Sequence, residues 1–234
     1  MKKMNLVIAF LCMGLPASLL AQETKVDTTV NLVVFHPSFS RMDLVCGKMP
    51  DQSDKNVTFC CEAAFTGQLL KAFQHTNIAD DHACAGVLHK GYACRANTGG
   101  FVWQKSGKWS FMVKDDYLKM VKSAYMGFGQ VLIVYNKEVL PKWPQKPKAR
   151  NVYRALCERN GKLCVVQSRK TMEYSFFLKC LQAYGVTHAL YLDMGSGWNY
   201  AWYRDGKGNF TELFPESKSS SNYQYRTNWI TFYK

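Results

Sequence analysis

Several short stretches hold side chains able to do chemistry. Asp193 closes an apolar run, Val186–Leu192, and is followed by Met194-Gly195-Ser196-Gly197. A carboxylate at a strand end before glycines projects into whatever pocket the turn opens, and Gly195 and Gly197 would let a ligand approach the backbone closely. Glu62 lies near the end of a second apolar run, Val57–Ala64, and two carboxylates that face one another can divide acid and base work. Asp80-Asp81-His82 is polar and loop-borne, with an imidazole that titrates near neutrality and Asp81 beside it as a binding group. Ser196, Trp198, Asn199 and Tyr200, with Trp202, combine flat apolar faces with polar groups, a common grip on sugar rings. Each has a purely structural counterpart: a turn-making Asp193, a solvated Glu62, a half-buried loop His82, and aromatics that alternate into a core.

The nine cysteines supply a second kind of chemistry. Cys157 and Cys164 flank Asn160-Gly161, a strong two-residue hairpin turn. Counting outward from that turn sets them opposite one another at roughly 5.5 Å between alpha carbons, within disulfide range; equally, both could be small apolar residues filling a core face. Cys60 and Cys61 are adjacent in a strand, so they point to opposite faces and cannot share one buried site. A zinc site is disfavoured, because no CxxC occurs and His82, Cys84 and Cys94 lack a fourth ligand at zinc spacing. A thiol enzyme using Cys60 or Cys61 with His82 has no local support. No cofactor is called for, and a divalent cation is left open.

Compartment narrows the partners. Met1-Lys2-Lys3-Met4-Asn5, the apolar run Leu6–Leu20 and the small Ala21 have the pattern of a cleavable secretory signal over residues 1–21, with one domain over 22–234. The run is interrupted by Gly14, Pro16 and Ser18 and falls short of the ~20 apolar residues of a membrane span, so no transmembrane segment is expected after cleavage. Loss of Lys2 and Lys3 removes two of the 13 net positive charges. In an exported protein, periplasmic or extracellular, the remaining excess points to anionic glycans, lipids or phosphate groups rather than nucleic acid. Oligomeric state is left open.

The elements that must position these residues are mainly strands. Strand patterns cover Val26–Phe35, Val57–Ala64, Gly99–Trp103 with Lys108–Val113, Val131–Tyr135, Tyr153–Arg159 with Lys162–Gln167, Val186–Leu192, Tyr200–Tyr203 and Tyr225–Phe232. Helical spacing appears over Asp115–Tyr125 and from Thr171 to Tyr184, the second with Phe176, Phe177, Cys180 and Leu181 inside and Gly185 as its stop. Residues 78–100 read as loop-rich surface around a site, and Gly127-Phe128-Gly129 as a break. These patterns predict an α+β fold: a single domain with a mixed, twisted multi-stranded sheet and a few covering helices.

The stretch Arg150–Gly206 resembles the phosphodiester glycosidase family, specifically an exported bacterial subgroup. The resemblance rests on Tyr153-Arg154-Ala155-Leu156, Asn160-Gly161-Lys162, Thr171, and Gly185-Val186-Thr187-His188-Ala189-Leu190-Tyr191-Leu192-Asp193-Met194-Gly195. Phe59-Cys60-Cys61-Glu62-Ala63-Ala64-Phe65 is similar to an earlier family strand, with Glu62 where Asn is usual, and Met194 replaces a Gly. The resemblance implies hydrolysis of a glycosyl phosphodiester in a glycan or envelope polymer. On that resemblance Arg154 would hold the phosphate in the plane of its guanidinium and Asp193 would supply the carboxylate, while Glu62 and His82 are acid–base candidates read from the residues themselves. A non-catalytic glycan-binding protein that keeps the fold is the alternative.

Overall fold

A computed structural model describes residues 23–70, 72–141 and 146–234. The signal-like segment lies outside the described residues. A seven-stranded sheet runs in the order Lys25–Thr28, Leu32–His36, Lys162–Ser168, Arg154–Arg159, His188–Tyr191, Leu132–Tyr135, Glu138–Val139. A five-stranded sheet follows the order Phe210–Leu213, Ala201–Arg204, Val57–Glu62, Asn228–Tyr233, Arg41–Cys46. A second five-stranded sheet follows Val87–His89, His82–Cys84, Met126–Gln130, Gly99–Trp103, Trp109–Val113. The described residues thus form a single, mostly β domain with two short helices, Lys114–Met120 and Tyr174–Tyr184, in keeping with the α+β expectation.

One mixed sheet was expected, but the chain distributes its strands over several sheets whose strand ladders are antiparallel. Parallel neighbours need long, usually helical crossovers, and two short helices supply few of them. The Asn160-Gly161 hairpin has the register read from the sequence, with Cys157 opposite Cys164. Both are nevertheless free thiols, as are the other six described cysteines.

Alternation along the hairpin divides the core. Leu156, Val165 and Leu190 face a central cluster with Phe59, Phe232, Phe101 and Phe128 of the two five-stranded sheets. Ala155, Cys157, Val166 and Ala189 face the Tyr174–Tyr184 helix through Phe177, Leu178 and Leu181. That helix starts at Tyr174 rather than Thr171, because Met172–Glu173 pairs with Arg150–Asn151. Phe176, expected inside, is exposed. Gly185 ends the helix in the left-handed conformation, φ 80°, its N–H reaching Gln182 and Leu181 carbonyls.

Three local patterns fold differently from expectation. Val26–Phe35 is a hairpin, its turn closed by Thr29 Oγ1 accepting from Leu32 N at 3.0 Å. Residues 82–89 form a two-stranded hairpin rather than loop. Met126–Gln130 is a fully buried strand; at Gly129 a Cβ would stand 3.0 Å from Asp80 Oδ2, so the missing side chain makes room for a carboxylate.

Candidate functional site

The seven-stranded sheet and the 57–62 sheet meet end to end. Leu192 N donates to Arg154 O at 3.0 Å, and Asp193 N to Ala63 O at 3.2 Å, so three strand ends converge: Glu62, Arg154 and Asp193. Buried Gln130 fastens the third sheet to the same point, donating to Ala63 O at 3.3 Å and accepting from Val131 N at 2.9 Å. Asn228 accepts from Ala64 N at 2.7 Å and donates to Ala64 O at 3.0 Å, copying a backbone pairing with its amide. Regular pairing stops here, and these side-chain amides satisfy the freed backbone groups.

Asp193 is half-buried. Its carboxylate accepts from Gly195 N at 3.1 Å, with the Met194 and Thr66 N–H groups also directed at it. Loss of water outweighs those donors, and the carboxyl is pushed up to about 6. The Tyr92 hydroxyl stands near enough for Asp193 to help raise its pKa, which burial and the Cys94 thiol raise further.

Glu62 is 0% exposed, and neither carboxylate oxygen has a hydrogen bond. Arg226 Nε stands 3.6 Å from Oε1 as its counter-ion. Burial pushes the Glu62 carboxyl well above the usual carboxylate range; Arg226 opposes the shift and Asp193 adds to it. Arg226 is itself clamped, its guanidinium 3.3 Å from the Tyr223 ring centroid and its Nε donating to Tyr223 O at 2.9 Å. The two carboxyls are thus both raised by burial but differ in what opposes the shift: a guanidinium beside Glu62, backbone N–H groups around Asp193.

Arg154 is also 0% exposed. Its Nε and Nη2 donate to Gln167 Oε1 at 3.0 and 2.7 Å, and Nη2 donates to Asn199 O at 3.1 Å. Nη1 is buried without a hydrogen-bond partner. Its charge is felt at Glu62 and Cys61, so two guanidiniums and two carboxyls share one junction.

Two concavities flank the Asp193 turn. One, about 630 Å³, is lined by Asn151, residues 194–197, Asn199 and the 216–221 loop; the other, about 470 Å³, by Gly67, Gln68, Asn77, Tyr92 and neighbours. Ser196 and Asn199 therefore border a cleft, and Gly195 holds the carboxylate through its N–H. The close approach at Gly197 is to the protein's own chain rather than a ligand: φ is 91°, and a Cβ would lie 2.9 Å from Asn222 Cβ and from Tyr223 N. Trp198 is buried and donates to Thr66 Oγ1 at 3.1 Å. Tyr200 is core, packed with Trp202 and Trp229, its hydroxyl donating to Glu212 Oε1 at 2.5 Å.

His82 and Asp81 belong elsewhere. His82 contacts His75, His89 and the Asp80 carbonyl, and Asp81 pairs with Lys90 Nζ at 2.6 Å. Among the described residues no hydrogen bond, ion pair or ring contact joins them to Glu62, Arg154 or Asp193. The sequence reading missed Arg226, Thr66, Tyr92 and Asn228. Arg226 was legible only as the start of the final strand, and Thr66 and Tyr92 sat in stretches without periodicity.

The fold is similar to that of one solved glycosidase catalytic domain. The solved catalytic domain of zebrafish N-acetylglucosamine-1-phosphodiester alpha-N-acetylglucosaminidase, auto-inhibited by its pro-peptide, superposes with a TM-score of 0.57 at 13% identity, covering 90% of this chain and 81% of that one. At that identity the likeness establishes a distant relationship of fold. No protein-family profile matches the sequence, and no curated protein matches it.

Proposed function

We propose that this chain is a hydrolase of glycosyl phosphodiesters, acting on a glycan or envelope polymer outside the cytoplasm. One observation carries the reading: in a fold shared with a sugar-1-phosphodiester hydrolase, two carboxyls with separately raised pKa values meet beside two guanidiniums at a junction of strand ends. Asp193 is the working carboxylate, activating water or attacking the anomeric carbon. Cleavage of the sugar–oxygen bond expels a phosphate monoester, a leaving group that needs little protonation, so one carboxylate and one cation suffice. Glu62 is fully buried, with Asp193 close enough to raise its pKa; Arg154, whose Nη1 makes no hydrogen bond in the structure, is the cation proposed to meet the phosphate.

Purified protein is assayed for sugar release from a panel of sugar-1-phosphodiesters, N-acetylglucosamine-1-phosphodiesters first. Turnover that falls in Asp193→Ala and Arg154→Ala supports the reading; a panel left intact, or turnover indifferent to both changes, defeats it. A non-catalytic glycan-binding protein is the second reading, favoured by the burial of Glu62 and by Gln167 and Asn199 occupying most of the Arg154 donors. Glycan binding without turnover, retained in Asp193→Asn, selects it.

A further inference from the structure

We propose that Cys46, His75, His82 and Cys84 form a tetrahedral zinc site of the closed, structural kind. The proposal does not depend on the hydrolase reading. One ligand atom from each of the four residues lies within 4.8 Å of every other, although the residues come from three elements. Cys46 ends the Arg41–Cys46 strand, His75 opens a single helical turn, and His82 and Cys84 are alternate residues of one short strand, so both project from the same face. Two thiolates and two imidazoles are the donor set that selects zinc, and four protein ligands leave no open position for substrate.

The geometry around His82 goes beyond clustering. Its Nε2 points at His75 Nδ1, 2.9 Å away, while its Nδ1 lies 3.1 Å from Asp80 O. With Nδ1–H donating to that carbonyl, the Nε2 lone pair is presented to the cluster, the outer-shell arrangement that fixes a metal-binding tautomer. The carbonyl is itself held: Asp80 adopts φ 57°, and its carboxylate takes hydrogen bonds from Cys94 N at 3.0 Å and Asn97 Nδ2 at 2.9 Å. Gly91 leaves space for that oxygen, since a Cβ there would stand 1.9 Å from it. His89 lies flat on His75, centroids 3.4 Å apart and planes 4° from parallel, fixing that ring in turn. Zinc–nitrogen bonds of about 2.0 Å and zinc–sulfur bonds of about 2.3 Å put tetrahedral ligand atoms roughly 3.3–3.8 Å apart. Small side-chain movements therefore reach it, and the His75–His82 hydrogen bond gives way to two metal bonds.

Such an ion fastens three pieces of chain. It ties the end of one sheet to the edge region of another and anchors the excursion from Thr66 to Ile78, whose ends are joined by a bridge. That excursion carries Thr66, whose N–H points at Asp193, and Gly67 of the neighbouring cavity.

The full chain is loaded with zinc under reducing conditions, desalted and analysed for metal. One zinc per chain is expected, at least ~10-fold weaker retention in Cys84→Ser and His75→Ala, and in the cobalt(II)-loaded protein tetrahedral d–d bands with thiolate charge transfer. A chelator lowers the unfolding midpoint of the wild-type chain and leaves that of Cys46→Ser/Cys84→Ser unmoved. Failure of the wild-type chain to retain zinc above that double variant overturns the site, even where single variants misfold. So does an octahedral cobalt spectrum, or a Cys46–Cys84 disulfide in protein taken from its native compartment without reductant.

Discussion

Asp193, Glu62, Arg154 and Arg226 stand on strand ends and a final loop inside a junction between sheets, whereas Cys46, His75, His82 and Cys84 gather from a strand end, a one-turn helix and a short hairpin. In the first region charge is buried against backbone donors and opposing charge, and the fold bears the desolvation penalty whether or not ligand is present. In the second, thiol and imidazole groups converge on a small volume, and a bound ion would return stability to the fold. The first region should therefore yield variants that gain stability as they lose function. The second should yield variants that lose stability together with bound metal.

The largest effect is expected at Asp193. Asp193→Asn should lower turnover of a sugar-1-phosphodiester by about 10³-fold, some 4 kcal/mol of barrier. The same change should raise the melting temperature at pH 8. The folded pKa, about 6, lies above the ordinary 3.8, so the native state holds this proton more tightly than the unfolded chain. Stability contributed by the protonated form is complete below the unfolded value and is lost as pH rises through about 6. The advantage of Asn should accordingly grow from pH 4 to pH 7 and then level, reaching about 3 kcal/mol in calorimetric scans. An advantage that shrinks across that interval would refute the assignment.

Arg226 comes next. Arg226→Ala strips Glu62 of its 3.6 Å counter-ion and removes the stack on Tyr223. A buried charge left alone costs about 3 kcal/mol, measurable by urea denaturation at pH 8. Glu62→Gln in the Arg226→Ala background should recover much of the loss, because no charge then remains to be neutralised. Without recovery, Arg226 would matter through its aromatic packing and not its charge.

A smaller effect separates the regions by pH. If Asp193 is the ionised participant, kcat/KM should rise with pH through an acid limb near 6. Cys84→Ser should lower the melting temperature while leaving the midpoint of that limb in place. A limb that moves by a full unit would mean that the cysteine–histidine cluster sets the Asp193 environment directly.

What the sequence disclosed follows the range of the forces involved. The Asn160-Gly161 hairpin, the Gly185 stop and the Asp193 turn were readable because neighbours in sequence determine them. Met126–Gln130 was misread because its glycines, local breakers by propensity, answer to Asp80 and to the strand Gly99–Trp103 from distant parts of the chain. Arg226 reaches Glu62 from far along the chain, and Cys46 and His75 carry no recognisable spacing to His82 and Cys84. Metal ligands on a helix or in a knuckle announce themselves by a fixed interval. Ligands brought together by packing between sheets do not, and that is why His82 read as a loop histidine.

The smallest effect tests what Trp198 does. As a sugar platform it acts through the area of its indole face, and Trp198→Phe, with its smaller ring, would weaken ligand binding while costing nothing at Thr66. In the structure its indole N–H instead donates to Thr66 Oγ1 at 3.1 Å, and Thr66 Oγ1 also meets Thr227 Oγ1 at 2.8 Å. The Thr66 N–H is one of three directed at Asp193. Removing the indole donor should cost about 1 kcal/mol of stability. With Thr66 less firmly held, the Asp193 carboxylate loses part of a stabilising donor, and its acid limb should move upward by a few tenths of a unit, the direction in which desolvation already pushes it. Trp198→Phe with unchanged stability and an unmoved limb, but weakened glycan binding, would return Trp198 to the ligand. An upward limb with unchanged KM keeps it as a buried support of the carboxylate.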